Sequence, residues 1–137
     1  MTKPIPVPSD LSAPFWEAAN DGKLVIQRCV ACERFQHPPR LFCADCGSSE
    51  LTFEPVSGRG KVRTFTIIHE ARYDAYKALA PYALAVVELE EQPDLLMLSN
   101  LPDVPQGSIA IGLKVEVMFE RLTADIALPQ FGVSDNG

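Results

Sequence analysis

Residues 29–46, CVACERFQHPPRLFCADC, decide the fold of this chain. They contain all of its cysteines in two pairs with the spacing C-x2-C-x10-C-x2-C, namely Cys29, Cys32, Cys43 and Cys46. Two residues between two thiols let both sulfur atoms of a tight turn point at one place, so two such turns supply four ligands to a tetrahedral ion. The stretch therefore predicts a metal site, with Zn²⁺ as the expected ion.

Four thiolates leave no coordination position for water or substrate, so we expect a structural ion that holds the fold together. Iron remains an alternative occupant, because four thiolates suit it in the same geometry, and it would make the chain a redox protein.

A disulfide pairing of the cysteines is the other alternative, and it needs an oxidising compartment. The start MTKPIPVPSDLS lacks the basic and apolar blocks of a signal peptide, so we expect a cytoplasmic protein.

Composition and charge narrow the classes of function. The chain has 137 residues, 47% of them hydrophobic, which suffices for one small core and a module stabilised by a metal ion. No apolar run approaches the roughly 20 residues that cross a bilayer. The net charge is −6, and residues 85–137 hold two basic and nine acidic side chains. A net anion is poorly suited to binding a nucleic-acid backbone, which is dominated by Lys and Arg contacts.

The N-terminal half reads as an arm, a helix and a zinc ribbon. Prolines 4, 6 and 8 predict an extended arm, and SAPFWEAANDG predicts a short helix with Ser12 as N-cap and a stop at residues 20–22. KLVIQR (residues 23–28) and LTFEPV (residues 51–56) read as strands on either side of the cysteine pairs. We therefore expect an arm and helix over residues 1–22 and a zinc ribbon over residues 23–56.

From Gly58 the pattern changes to β-type segments divided by turns. Four segments are rich in branched, aromatic and other apolar residues: GKVRTFTIIHE, YALAVVELE, DLLMLSNL and IGLKVEVMFERL. Residues 92–94 suit a hairpin turn, and YDAYKALAP predicts one helical turn capped by Asp74 and ended by Pro81. A small barrel is the economical arrangement, because closure removes exposed sheet edges. The chain is thus predicted to be mainly β, with an OB-fold over residues 57–137.

The order of these segments resembles the acyl-CoA-associated family of rubredoxin-like zinc ribbon plus OB-fold proteins, long described as a domain of unknown function. The resemblance covers about residues 11–131, from FWEAANDGKLVIQRC to a closing LPQF. It implies a non-catalytic accessory protein that binds thiolases, thiolase-like aldolases and related acyl-CoA enzymes of lipid metabolism. One departure is Glu33, where a glycine often follows the first cysteine pair, and it concerns the geometry of that turn.

Coenzyme A offers phosphates that suit Arg or Lys, an adenine that suits a planar surface, and a slim pantetheine arm. Two groups of residues are candidates for such a ligand: Arg34, Phe35, His37 and Arg40 between the cysteine pairs, and Arg59, Lys61 and Arg63 at alternate positions of one strand. In the alternative interpretation, the loop only covers the metal and the strand cations are solvated. Phe15 and Trp16 suit either packing or a partner interface.

Catalysis finds little support in the sequence. No cysteine lies outside the metal pairs, the chain has two histidines, and Ser99 and Ser108 lie in no nucleophile motif. The leading hypothesis is an accessory subunit that helps to position or transfer acyl-CoA. The alternative is a single-stranded nucleic-acid-binding module, because OB-folds stack bases in cationic grooves; the acidity of the chain weighs against it.

Overall fold

The computed structural model describes residues 3–134, beginning with an arm and a helix. Residues 3–9 have no regular secondary structure, and helix α1 spans Ala13–Asn20. Ser12 is the N-cap, as predicted, but its hydroxyl bonds to Ser9 rather than to the first turn of the helix. After the C-cap Asp21, Gly22 takes a φ of +75°, which ends the helix at the predicted place.

The zinc ribbon consists of three short antiparallel strands, β1 (Val25–Cys29), β2 (Phe35–Gln36) and β3 (Leu51–Pro55), in the order β2-β1-β3. Both predicted strands are confirmed. Strand β2 was not predicted, because two residues between a turn and two prolines carry no periodic pattern. In the pairing of β1 with β2, Gln27 lies opposite Gln36 and Arg28 lies opposite Phe35.

The second sheet forms the predicted OB-fold, a nearly closed five-stranded barrel. Its strands are β4 (Arg59–Ile68), β5 (Tyr82–Leu89), β6 (Leu96–Asn100), β7 (Lys114–Arg121) and β8 (Ala127–Val133), in the order β6-β5-β4-β7-β8. The buried Ser99 hydroxyl donates to the Pro129 carbonyl at 2.9 Å, which links the two edge strands β6 and β8. Strands β6 and β8 are not hydrogen-bonded neighbours in the sheet, so a side-chain bond serves there in place of a ladder bond.

The insert between β4 and β5 forms helix α2, Asp74–Leu79. Its N-cap is Tyr73, and Asp74 is the first helical residue, so the prediction that Asp74 caps the helix was wrong. Asp74 instead lies in the first turn, where a carboxylate complements the helix dipole. The helix ends one residue before Ala80, and Pro81 follows, as predicted.

One hydrophobic core joins the N-terminal elements to the barrel. Phe15 from α1 together with Leu24 and Ile26 from the ribbon belong to the same buried cluster as barrel residues such as Val87 and Phe131. Ile26, Val87 and Phe131 have no exposed surface. The ribbon is therefore packed on the barrel through apolar side chains, and the metal-binding turns project from this shared core.

Candidate metal centre and flanking surfaces

The four predicted cysteine ligands converge. Their sulfur atoms all lie within 4.8 Å of one another. Cys29 lies 3.6 Å from Cys46, and Cys32 lies 3.6 Å from Cys43, measured between Sγ atoms. Four sulfurs held at about 2.3 Å from a tetrahedral ion would lie about 3.8 Å apart. The cluster thus fits a four-coordinate metal ion, and all of its ligands come from the two C-x2-C turns.

The two C-x2-C turns have the same backbone hydrogen bonds. In the first turn, the N–H of Cys32 donates to the sulfur of Cys29, and the N–H of Glu33 donates to the Cys29 carbonyl. In the second turn, Cys46 donates to the sulfur of Cys43, and Gly47 donates to the Cys43 carbonyl. The residue after the second cysteine has positive φ in both turns, +68° at Glu33 and +79° at Gly47.

Backbone donors favour the thiolate form at the first cysteine of each pair. The N–H groups of Cys46 and Asp45 lower the pKa of Cys43 to about 6. The N–H of Cys32 is the largest cause that lowers the pKa of Cys29. Because metal ions bind thiolates, these donors prepare Cys29 and Cys43 as ligands before the ion arrives.

A pair of glutamines fixes the loop between the two turns. Gln27 is 3% exposed; its Oε1 accepts from the N–H of Arg40 and from Gln36, and its Nε2 donates to the Arg40 carbonyl. Gln36 in turn accepts from the Ala44 N–H and donates to the Phe42 carbonyl. These bonds satisfy the buried Gln27 amide and tie the loop to β1. Sequence reasoning missed both residues.

A cleft of about 230 Å³ lies between this loop and the β5–β6 turn. The structure brings four of the predicted ligand-binding residues to it: Arg34, Phe35, His37 and Arg40. Arg28 stacks over the Phe35 ring at 4.7 Å, and Arg34 lies 3.5 Å from Asp45. The His37 ring lies 5.4 Å from the Phe15 ring, and burial lowers the pKa of His37.

Gln92 holds the ribbon against the barrel at this cleft. Its side-chain oxygen accepts from the Phe35 N–H at 2.9 Å, and its nitrogen donates to the Phe35 carbonyl at 3.0 Å. The amide thus pairs with β2 as a neighbouring strand would. The predicted turn at residues 92–94 is confirmed by the bond from the Leu95 N–H to the Gln92 carbonyl.

The strand cations do not line the cleft, and each has an acidic partner. Arg59 pairs with Glu90 at 2.9 Å, and Arg63 pairs with Asp94 at 2.8 Å. Lys61 lies directly opposite Glu88 on β5, with 3.6 Å between the charged atoms. Bonding to these carboxylates raises the pKa of Arg59 and of Arg63. Arg59 and Lys61 line a second cavity of about 510 Å³, so the structure does not unite the two groups of predicted residues.

The two aromatic residues of α1 have different environments. Phe15 is 6% exposed and belongs to the core, so it has little surface to offer a partner. Trp16 is half-buried, and its ring stands edge-on to Phe15 at 5.1 Å. Its outer face lines a groove beside the N-terminal arm.

Comparison with known proteins places the chain in a family. Residues 16–52 match the family described as "ChsH2, rubredoxin-like zinc ribbon domain", and residues 53–120 match "ChsH2, C-terminal OB-fold domain". A "DUF35 domain-containing scaffold protein" of Methanocaldococcus jannaschii is 34% identical over 104 residues, which are 74% of this chain and 71% of that protein. This chain belongs to the DUF35 family. The predicted resemblance is confirmed.

Other similar proteins bear names of enzymes. A "Probable enoyl-CoA hydratase alpha subunit" of Thermomonospora curvata is 36% identical over 118 residues; the match spans 85% of this DUF35 chain but only 36% of that relative. The solved structure "Ltp2-ChsH2(DUF35) aldolase" has a TM-score of 0.82 and 32% identity, covering 93% of this chain and 98% of that one. A DUF35 structure from Sulfolobus solfataricus, with 15% identity and a TM-score of 0.62, shows the same fold.

No helix of this DUF35 chain within residues 3–134 has the length and apolarity needed to span a bilayer. This agrees with the absence of long apolar runs in the sequence.

Proposed function

We propose that this chain is a non-catalytic accessory subunit that binds a thiolase-type acyl-CoA enzyme and helps to position or transfer acyl-CoA. The observation that carries the proposal is the match to the DUF35 chain of an aldolase structure over 98% of that chain, at a TM-score of 0.82. The scaffold proteins of the same family and the enoyl-CoA hydratase subunit that includes a similar segment also support it.

The described side chains support a role without chemistry of their own. All four cysteines converge on the metal site. The Ser99 hydroxyl is buried and bonded to the Pro129 carbonyl, so it is not available as a nucleophile. His37 packs on Phe15, whereas His69 is exposed at the end of β4.

We infer that the ion of the cysteine cluster is Zn²⁺ and that its role is structural. Four thiolates and no neutral ligand are typical of structural zinc, and the sulfur distances suit it. Iron would require the same four ligands, so a metal analysis of the purified protein decides between them. We expect one equivalent of zinc and a colourless protein; a visible absorption band and a reversible one-electron couple would establish iron.

For coenzyme A esters, we propose the cleft beside the metal-binding turns as the contact site of this chain. Arg34 and Arg40 supply cations there and Phe35 supplies a ring. The strand cations Arg59 and Arg63 are less available, because carboxylates lie 2.9 and 2.8 Å from them, whereas Asp45 lies 3.5 Å from Arg34. Titration calorimetry with coenzyme A checks this: Arg34→Gln with Arg40→Gln should weaken binding about tenfold, whereas Arg72→Gln, which lies outside the cleft, should not. Equal affinities for all three proteins would refute the site.

The accessory role is tested by purifying the tagged full-length chain gently from its native cells and identifying stoichiometric partners by mass spectrometry. A purification with the tag alone is the control. We expect a thiolase-type or other acyl-CoA enzyme in the complex, and we expect the complex in the cytoplasmic fraction. A chain that emerges alone, or with proteins that do not act on acyl-CoA, would reject the proposal.

A further inference from the structure

A groove of about 510 Å³ lies between the N-terminal arm, helix α1 and the turn that precedes β8. Its apolar surface comes from prolines 6 and 8 and from Val7, Trp16 and Ile126. This volume lies within the range of about 300–1,000 Å³ that is usual for ligand cavities. None of its lining residues belongs to the cysteine cluster or lines the adjoining cleft.

The arm that forms one wall is fixed at both ends. Lys3 forms an ion pair with Glu120 of β7, and its ammonium group lies 5.8 Å from the centre of the Tyr76 ring. Ser9 and Ser12 bond to each other through backbone and hydroxyl groups. Between these two points, Val7 is 90% exposed. An exposed valine is ordinary on a mobile segment, but here it is held over an apolar wall that contains a tryptophan.

Carboxylates surround this apolar surface. Glu17 and Asp125 line the groove, and Asp10 follows the arm; all three are exposed. In the part of the chain that the structure describes, none of the three forms an ion pair. The neighbouring cation, Arg121, donates instead to Asn20 and to the carbonyls of the turn at residues 123 and 124. Arg121 keeps its positive charge, so two lining carboxylates, Glu17 and Asp125, stand against this one cation and leave the rim net negative around the apolar surface.

We infer that this groove binds a segment of the partner enzyme in which apolar side chains are flanked by Lys or Arg. The apolar side chains would cover Val7 and Trp16, and the cations would meet Glu17 and Asp125. Complementary charge around an apolar centre is how protein interfaces gain specificity and rapid association. The inference rests on the proposed accessory role, whose partner it describes.

Trp16 is the only tryptophan of the chain, so its fluorescence reports on the groove. The probes are two synthetic peptides of roughly 14 residues without tryptophan, one of Leu and Lys and one of Leu and Glu, with Leu at helical spacing on one face. We expect the Leu/Lys peptide to shift the Trp16 emission of the full zinc-loaded chain. We expect about tenfold weaker binding at high salt, and little response to the Leu/Glu peptide.

The charge of the rim is tested with matched double variants. Glu17→Lys with Asp125→Lys should weaken binding of the Leu/Lys peptide about tenfold. Glu70→Lys with Asp103→Lys makes the same change of charge at exposed sites outside the groove lining, and it should bind within about twofold of the parent chain. Far-ultraviolet circular dichroism confirms that both variants fold.

The inference is overturned by any of three results: no Trp16 response to the Leu/Lys peptide, an equal response to the Leu/Glu peptide, or undiminished binding to the Glu17→Lys, Asp125→Lys variant. The assay contains no enzyme. If the peptide does not bind, the evidence from a co-purified acyl-CoA enzyme still stands. If no enzyme co-purifies, the peptide result still stands.

Discussion

At the scale of single residues, the two metal-binding turns differ at one informative position. Both place the residue after the second cysteine at positive φ, but the first turn has Glu33 where the second has Gly47. A side chain in this left-handed region costs about 1–2 kcal/mol, which glycine avoids. Within residues 3–134, the Glu33 side chain forms no bond that would offset this cost; only its backbone groups bond to Cys29 and Arg28.

We predict that Glu33→Gly raises the free energy of unfolding of the zinc-loaded protein by ~1 kcal/mol. Gly47→Ala, the matched change in the other turn, should lower it by a similar amount, although no atom lies within 4 Å of the added Cβ. Urea denaturation measures both. A loss of stability in Glu33→Gly would show that the glutamate has a role in the turn.

A second residue-scale prediction concerns pH. Burial lowers the pKa of His37, so its imidazole binds a proton less tightly in the folded state than in the unfolded state. As pH falls through the usual histidine pKa of about 6.5, the unfolded chain gains a proton that the folded chain does not, and the free energy of unfolding decreases. Above that pH both states are neutral and the effect vanishes.

Comparing His37→Gln with His69→Gln by urea denaturation between about pH 5.5 and 8 tests this. His37→Gln should show a smaller loss of stability on acidification than the parent chain, whereas the exposed His69→Gln should follow the parent. Both variants retain the four thiols, so the pH dependence of metal binding is common to them. Identical profiles for all three proteins would contradict the assignment.

The roles of some single residues could be predicted from the sequence, and those of others could not. The spacing alone predicted the four cysteine ligands, because C-x2-C geometry is local. Gln27 and Gln36 could not be predicted, since a glutamine on a short strand looks like a solvated residue until the loop that it holds is known. Phe15 and Trp16 are adjacent, yet one is in the core and the other lines a groove, which only the helix orientation determines.

At the scale of elements, the loop between the two turns depends on Gln27. Replacing it with Ala leaves the Arg40 backbone groups and the Gln36 amide without their partner in a partly buried place. We predict a loss of about 2–3 kcal/mol in the free energy of unfolding and faster release of the ion to a chelator. Gln106→Ala removes an exposed glutamine that bonds the Pro81 carbonyl, and it should cost under about 0.5 kcal/mol. Similar effects of the two changes would contradict the role of Gln27.

The strands could be predicted from the sequence, but the pairing between them could not. Each apolar segment after Gly58 became a barrel strand within a few residues of its predicted limits. The alternation of Arg59, Lys61 and Arg63 suggested a cationic face, but the register with β5 sets Glu88 opposite Lys61. Register between strands arises from tertiary pairing, so the neutralisation of this face could not be seen in the sequence.

At the scale of the whole molecule, the shared core couples the metal site to the barrel. Phe15, Leu24 and Ile26 bury their side chains against barrel residues, although the proposed boundaries put them outside residues 57–137. The division into segments 1–22, 23–56 and 57–137 stays a prediction. Unfolding of the ribbon would remove one side of the core and expose apolar surface of the barrel.

Removal of the ion should therefore affect more than the ribbon. The apparent binding free energy of structural zinc is on the order of 10 kcal/mol, comparable to the stability of a small domain. We predict that a strong chelator shifts Trp16 emission to longer wavelength and lowers the thermal midpoint of the barrel strands, and that added zinc restores both. A chelated protein with unchanged circular dichroism and fluorescence would show that the ribbon holds without the ion.

We propose that this DUF35 chain serves an acyl-CoA enzyme as a subunit without chemistry of its own. The most direct test is the acyl-CoA turnover of the co-purified enzyme, measured with and without this chain at equal enzyme concentration. We predict that the chain alone has no turnover, that the enzyme alone loses activity or solubility, and that adding the zinc-loaded chain restores it. Full activity of a soluble enzyme without the chain, or turnover by the chain alone, would refute the accessory role.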